Sequence, residues 1–222
     1  MSPNTVASYC SDIQKFLAVC EVDADKVQPD DILQYLSTSK KVSERSQSRF
    51  LSALRSFYDW MQIEGYMSEN PCDRVDMPKL GVYLPSVLSV QEVEDVINSI
   101  DRSDWIGLRD KAILEVLYGC GLRVSEAVGL RISGLYLDEG FIRIIGKGNK
   151  ERLIPLGDMA CNAVRVYLDV RPQPSDSQSD DLLFLNRFGE SFSRVSMFKL
   201  IKKQALVAGI NKEISPHTFR HS

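Results

Sequence analysis

Apolar residues recur at three- and four-residue steps along much of this chain, and a helix is the structure that gathers such residues onto one face. In the first segment, 3–20, the apolar positions are Val6, Tyr9, Ile13, Phe16, Leu17 and Cys20. A second segment follows Asp30, and a third runs over residues 43–64 and ends at Gly65. The first part of the chain is therefore predicted to form three amphipathic helices.

The same spacing continues after residue 88, with one short region of a different kind. The further helices are predicted at Ser89 and beyond, 107–118, 122–128, 158–171, 193–209 and from Ser215 onward. Residues 141–145 and 151–155 are strand-like, and the glycine-containing run 146–150 between them is typical of a β-hairpin turn. Residues 182–186 are a further candidate strand. The sequence predicts a mainly α-helical fold with a small β-hairpin or sheet.

Residues 65–88 contain several prolines and glycines and few periodic apolar positions, a composition typical of an extended linker. These residues include Gly65, Pro71, Pro78, Gly81 and Pro85. A chain of 222 residues is long enough for two modest domains. We therefore predict a helical domain over 1–70, a linker over 71–88 and a second domain over 89–222.

The composition is that of an ordered cytoplasmic protein. Hydrophobic residues make up 44% of the chain and charged residues 26%, far from the balance of disordered chains. The five cysteines are odd in number, widely spaced and without a C-x-x-C pair, which favours reduced thiols and argues against zinc. The sequence has no signal-peptide pattern and no apolar run of membrane-spanning length, so a cytoplasmic location is expected.

The net charge of −3 counts against a nucleic-acid partner, but the distribution of charge counts for one. Residues 187–222 contain seven Lys or Arg against two Glu, and residues 143–152 contain four basic residues against Glu151. The acidic excess lies chiefly before residue 80. Lys150 and Arg152 are therefore candidate DNA contacts.

The third helix has two chemically different faces. One face carries Phe50, Leu54, Phe57 and Met61, and the opposite face carries Arg45, Arg49, Ser52 and Ser56. Arginine and small hydroxyl side chains often contact phosphate and sugar, so Arg45, Arg49 and Ser52 are candidate DNA contacts. A solvated helix face explains the same residues equally well.

Three short motifs place cationic or imidazole groups where an anion could bind. Arg123 begins a predicted helix after a glycine-flanked break, and Glu126 lies one turn on, where it can hold the guanidinium. Lys147 lies in the hairpin turn between two glycines. His217 is in the first turn of the last predicted helix, with Arg220 one turn later on the same face. Each motif alone is explained more simply by a surface ion pair, a solvated lysine or a capping-region histidine.

Together the motifs are more specific than they are separately. Two arginines, a lysine and a histidine, without clustered carboxylates, fit a phosphoryl transfer in which cationic side chains take the place of metal ions. Such a reaction needs no metal and no cofactor. It does need a nucleophile.

The same motifs resemble those of a known family. The strings at 121–126 (GLRVSE), 145–156 (IGKGNKERLIPL) and 215–221 (SPHTFRH) are similar to the arginine, lysine and histidine–arginine motifs of the tyrosine recombinases, most closely the bacterial Xer-type ones. Their order and the 24-residue step from Arg123 to Lys147 match as well. The N-terminal part resembles the helical, SAM-like core-binding domain of these enzymes at Thr5, Tyr9, Asp12 and Phe16.

The resemblance implies a two-domain clamp around duplex DNA, in which a tyrosine attacks the scissile phosphate and forms a 3′-phosphotyrosyl link without a cofactor. It implies that Arg123 and Arg220, supported by Glu126, bind the phosphate oxygens. It further implies that His217 assists proton movement and that Lys147 protonates the departing 5′-oxygen. Recombinases of this type assemble as tetramers of like or unlike protomers on two DNA sites, for chromosome dimer resolution or mobile-element integration.

The chain also departs from the family pattern. Family members continue beyond the histidine–arginine motif to the nucleophilic tyrosine, whereas all eight tyrosines here lie before His217. The chain is therefore expected to bind DNA without cleaving it, and it begins within the first helix of the family pattern. Gly134 stands where Xer-type sequences usually carry aspartate, with a local structural effect expected.

Two other functions fit part of the pattern. A non-catalytic DNA-binding module, in which these residues only hold phosphates, predicts binding to a nicked cognate duplex without a covalent adduct. A helical interaction domain with no DNA role predicts no salt-dependent DNA affinity. The interaction domain accounts poorly for three matching motifs in order.

Overall fold

A computed structural model describes residues 1, 3–38, 42–76, 87–146 and 150–222 of the chain. The chain forms two compact units, Met1–Tyr83 and Leu84–Ser222. Residues 77–86, in the predicted linker, lie outside the described ranges. Each unit is described by itself.

The first unit is built on the three predicted helices. They are α1 (Pro3–Val19), α2 (Pro29–Thr38) and α3 (Glu44–Ile63). The hydroxyl of Ser43 accepts a hydrogen bond from the N–H of Ser46 and so caps α3. Phe16 of α1 is fully buried, and its ring centroid lies 5.3 Å from that of Tyr35 in α2 and 5.8 Å from that of Phe50 in α3. These edge-to-face contacts join the three helices in one core.

The second unit contains six α-helices in its described part. They are α4 (Val90–Asn98), α5 (Trp105–Gly119), α6 (Val124–Val128), α7 (Asp158–Val170), α8 (Arg194–Val207) and α9 (Pro216–His221). Helix α5 is central, because it packs along α7 and also contacts α4, α6 and α9. Its fully buried apolar residues are Ala112, Ile113, Leu114, Val116 and Leu117. A helix buried on most sides fixes the position of the turn that follows it.

The predicted hairpin is confirmed, and it belongs to a three-stranded antiparallel sheet in the order β1-β2-β3. The strands are β1 (Leu135–Tyr136), β2 (Phe141–Ile145) and β3 (Glu151–Pro155). Arg143 of β2 lies opposite Leu153 of β3. Ile142 and Ile144 are buried, as the two-residue period of a strand with one face on the core requires. Strand β1 was not predicted, because two residues are too few to show a period.

The strand predicted at 182–186 is wrong. Leu182 and Leu185 make only isolated β-bridges. A side chain provides one of the backbone hydrogen bonds of this segment instead. Arg171 Nη2 donates to the Leu182 carbonyl oxygen over 2.7 Å. Arg171, at the end of α7, thus supplies a hydrogen bond that a neighbouring strand would otherwise donate. No local sequence pattern predicts this interaction.

Glycine at position 134 permits a close approach of the backbone to β2. A Cβ atom built at Gly134 would lie 2.9 Å from the carbonyl oxygen of Arg143. An aspartate here would therefore require a local shift of the chain, because real Cβ atoms do not approach a backbone oxygen so closely.

Candidate functional site

The first candidate side chain, Arg123, is placed by a tight turn. Helix α5 ends at Gly119, and Gly121 adopts φ +55°, a left-handed conformation that glycine takes without strain. Leu122 is fully buried and anchors the turn in the core. Arg123 follows as the N-cap of α6, with 53% of its side chain exposed. The turn thus fixes the backbone of Arg123, and about half of its side chain is open to solvent.

Glu126 is the centre of the hydrogen-bond network around Arg123. Its side chain is only 5% exposed, and its Oε1 accepts from Arg123 Nη1 over 3.0 Å. Its Oε2 accepts both from the Arg123 backbone N–H over 2.8 Å and from Arg152 Nη2 over 2.8 Å. One buried carboxylate therefore joins α6 to β3 and holds two arginines.

These contacts decide the ionisation of the carboxylate. Burial raises the pKa of Glu126, but the hydrogen bonds from Arg123 and the positive charges of Arg152 and Arg123 oppose burial and bring the pKa below its ordinary value of 4.5. Glu126 is therefore negatively charged at neutral pH. Two positive charges against one negative charge leave the cluster net positive.

Protonation of Glu126 in acid is expected to lower the unfolding free energy of the second unit. Because the pKa of the folded state lies below the ordinary value, ionised Glu126 stabilises the fold above about pH 4.5, and this contribution is lost as the pH falls through the lowered pKa. Replacing Glu126 with Gln should therefore lower the unfolding free energy at pH 7 and less so at about pH 3. Urea unfolding at several pH values measures the difference. An equal deficit at both pH values would contradict this role.

The histidine and arginine of the third motif lie on α9, as predicted. The Ser215 hydroxyl accepts from the N–H of Thr218 over 3.1 Å and caps the helix. His217, in the first turn, is exposed, and Arg220 is partly buried. Both side chains are therefore carried by a short, capped helix.

Helix α9 is attached to the end of α5 that leads to Arg123. Phe219 is fully buried, and its ring centroid lies 6.0 Å from that of Tyr118 in an edge contact. Tyr118 is five residues before Arg123 in the chain. Phe219 is next to Arg220. The end of α5 thus supports both the arginine of the first motif and the helix of the third.

The predicted Lys147 lies outside the described residues, but the residues beside it are described. The N–H of Gly146 donates to the Lys150 carbonyl oxygen over 2.8 Å and closes the end of the hairpin. A Cβ built on Gly146 would lie 3.9 Å from Glu126 Oε1. The hairpin end that precedes Lys147 is therefore next to the Glu126 network.

Comparison with known proteins identifies the family. The sequence profile of the phage integrase family matches residues 86–222, and that of the phage integrase N-terminal SAM-like domain matches residues 1–65. The chain belongs to the phage integrase family. Relatives of this integrase-family protein include tyrosine recombinase XerD of Chlorobaculum tepidum, 40% identical over 100% of this chain and 76% of that one. Another is tyrosine recombinase XerD of Pseudomonas aeruginosa, 40% identical over 100% of this chain and 76% of that one.

Solved structures share the fold of this tyrosine recombinase. The XerA recombinase structure is 30% identical with a TM-score of 0.56 and is matched over 100% of this chain and 76% of that one. A λ integrase dimer bound to a COC′ core site gives a TM-score of 0.78 at 16% identity, over 100% of this chain and 81% of that one. The second likeness is one of fold alone. The mainly helical prediction with a SAM-like first domain and a recombinase-type second domain is confirmed.

The candidate DNA contacts of the recombinase on α3 have partners within the protein. Arg49 forms a two-pronged ion pair with Asp12 of α1, over 2.9 and 3.1 Å. The Ser52 hydroxyl donates to the Ser48 carbonyl oxygen over 2.9 Å. Arg45 is exposed. The ion pair of Arg49 joins residues 37 apart, which the sequence pattern did not indicate. The role of these side chains in DNA binding stays a prediction.

Two kinds of feature are absent from the described parts of the recombinase. Within them, no group of three or more His, Cys, Asp or Glu side chains is arranged to hold a metal ion. Nor does any described helix combine the length and apolarity needed to cross a membrane. All five cysteines are free thiols.

Proposed function

We propose that this tyrosine recombinase binds duplex DNA and takes part in site-specific recombination through a metal-free, 3′-phosphotyrosyl route. Arg123 and Arg220 bind the non-bridging oxygens of one phosphodiester, and His217 assists proton movement. Lys147 protonates the departing 5′-oxygen. The observation that carries the proposal is the Arg123 guanidinium, which a buried carboxylate holds in place while half of the side chain stays open to a ligand.

The charge of the cluster supports a phosphate ligand. Glu126 alone would neutralise Arg123, but Arg152 adds a second positive charge to the same carboxylate. A guanidinium whose orientation is already fixed loses little entropy when it binds a phosphate through two parallel N–H donors. Phosphoryl transfer depends on positioning and charge stabilisation of this kind.

We further propose that none of the tyrosines in this sequence is the nucleophile, so that these 222 residues bind DNA without cleaving it. Tyr58 and Tyr167 are fully buried, and burial raises the pKa of both phenols, the reverse of what an attacking oxygen needs. The ring of Tyr118 packs against Phe219 in the core. All eight tyrosines also precede His217 in the chain.

The proposal extends to organisation and partners. Residues 1–70 form a core-binding domain, 71–88 a linker and 89–222 the catalytic domain, consistent with the family profiles over 1–65 and 86–222. The related fold of λ integrase has been solved as a tetramer bound to a Holliday junction, which supports assembly of four protomers on two DNA sites. The proposal includes a cytoplasmic location, where the protein has access to its DNA substrate.

A nicked duplex that carries the recombination site tests the proposal. The 222-residue chain is expected to bind it, with an affinity that falls as salt rises, and to form no covalent adduct. The same chain joined to the tyrosine-bearing C-terminal segment of a XerD relative is expected to form a denaturant-resistant protein–DNA adduct. Binding by the joined chain without an adduct would favour a non-catalytic DNA-binding module, and salt-independent or absent binding would overturn both.

A further inference from the structure

Arg152 is a candidate DNA contact on sequence grounds, but its guanidinium also pairs with a carboxylate of the protein itself. Its Nη2 lies 2.8 Å from Oε2 of Glu126, a side chain only 5% exposed. Arg152 itself is on β3, and the pair joins residues 26 apart. Arg152 therefore has a partner inside the protein, although 41% of its side chain remains exposed.

The two carboxylate oxygens of Glu126 accept hydrogen bonds from different partners. Oε2 is held from two directions, by the backbone N–H of Arg123 and by the guanidinium of Arg152. Because a carboxylate is planar and rigid, two donors on Oε2 also fix where Oε1 lies. Oε1 in turn accepts from Arg123 Nη1 over 3.0 Å. The orientation of Arg123 therefore depends on Arg152, although the two arginines do not need to touch.

We propose that Arg152 is a positioning residue of the recombinase, which acts through Glu126 to orient the Arg123 guanidinium and to leave it available to a phosphate. The inference rests on the proposed phosphate-binding role of Arg123. It assigns Arg152 to the network inside the protein and not to direct DNA contact.

The same pair couples the hairpin to the arginine. A Cβ built on Gly146 would lie 3.8 Å from Arg152 Nη1 and 3.9 Å from Glu126 Oε1, so the end of β2 and the start of β3 both lie against the carboxylate. A substitution of Arg152 is thus expected to alter the surroundings of both Arg123 and the hairpin. The charge balance changes as well, because loss of Arg152 leaves one positive and one negative charge where there was a net positive charge.

A double-mutant cycle on the 222-residue chain tests the inference. The proteins are the unchanged chain, Arg152→Gln, Arg123→Gln and the double variant, and fluorescence anisotropy gives their affinity for a labelled duplex. We expect about a tenfold loss for Arg123→Gln and about a fivefold loss for Arg152→Gln, with the double variant no more than about twofold weaker than Arg123→Gln alone. Arg165→Gln, which removes an exposed arginine paired with Asp138, is the matched control and should change affinity less than about twofold.

Direct DNA contact by Arg152 gives a different result. The two losses would then multiply, and Arg152→Gln would lower the slope of log affinity against log salt by about one. Either outcome would overturn the positioning role. Arg152→Lys, which keeps a donor for Glu126, should restore at least half of the lost affinity on a logarithmic scale. No rescue, in a protein whose amide spectrum shows it folded, would also count against the inference.

A second readout separates this inference from the proposed function. The side-chain Nε–H signal of Arg123, followed by ¹⁵N NMR without DNA, should shift and become more mobile in Arg152→Gln but not in Arg165→Gln. If that signal changes while Arg123→Gln leaves DNA affinity unaltered, the proposed function fails and the positioning role stands. If Arg123→Gln weakens binding while the signal is unchanged in Arg152→Gln, the positioning role fails and the proposed function stands.

Discussion

Arg123→Gln is expected to slow DNA strand cleavage by a factor of about 10² to 10³ when the chain carries a nucleophilic tyrosine. The guanidinium is proposed to meet the phosphate oxygens as negative charge builds up on them. Arg123 and Arg152 are both held by the buried carboxylate of Glu126, and Arg123 has the larger exposed fraction of its side chain. Glutamine is the informative replacement, because its amide can still donate to Glu126 Oε1 and preserve the start of α6.

Single-turnover cleavage of a nicked duplex measures the effect, with the chain extended by the tyrosine-bearing segment of a relative. Duplex affinity should change much less than the cleavage rate, because most DNA affinity comes from many phosphate contacts spread over the surface. Arg165→Gln serves again as the control for loss of one surface charge. A cleavage rate within about threefold of the unchanged protein would remove Arg123 from the mechanism.

Phe219→Ala is expected to lower the unfolding free energy of the second unit by about 3–5 kcal/mol. Phe219 is fully buried and belongs to the main core of this unit, and its ring is the contact that attaches α9 to Tyr118. A helix of six residues has little stability of its own, so it depends on this packing. His217 and Arg220 should lose their fixed positions before the rest of the unit unfolds.

Urea unfolding followed by the fluorescence of Trp105, the tryptophan of the second unit, measures this loss. Phe198→Ala on α8 is the matched control, because Phe198 is 44% exposed and should cost less than about 1 kcal/mol. Equal effects for the two phenylalanines would mean that α9 is not held by Phe219. Hydrogen exchange of the α9 amides should also quicken in Phe219→Ala at urea concentrations that leave the core folded.

Local signals in the sequence predicted much of the fold. Ser89 and Glu92 are three residues apart, and the structure has the reciprocal capping box that this spacing predicts at the start of α4. Arg123 and Glu126 are also three residues apart, and their predicted ion pair is present. Each of these interactions is decided within one helical turn. The information needed to predict them is therefore contiguous in the chain.

Interactions between distant segments could not be predicted in this way. The Arg152–Glu126 pair joins β3 to α6, and the Arg49–Asp12 pair joins α3 to α1. The sequence makes both arginines candidate DNA contacts, because a basic side chain beside a polar one gives the same pattern whether it faces DNA or a distant carboxylate. The burial of Glu126, which gives Arg152 an internal partner, depends on the whole fold.

The attachment of α9 is a further case. The HTFR string predicted a helix with His217 and Arg220 on one face, but it gave no reason to place that helix at the end of α5. The contact depends on Phe219 and Tyr118, which are about a hundred residues apart in the chain. Packing of two aromatic rings, rather than any motif, attaches the helix of the third motif to the end of α5.

The central claim is that Arg123, His217 and Arg220 act on a single phosphodiester. An experimental structure of the chain bound to a duplex that contains its recombination site measures this directly. We expect the guanidinium groups of Arg123 and Arg220 and the imidazole of His217 to lie within about 3 Å of oxygens of one phosphate, with Arg152 still paired to Glu126. Side chains distributed over different phosphates, or turned away from DNA, would contradict the account.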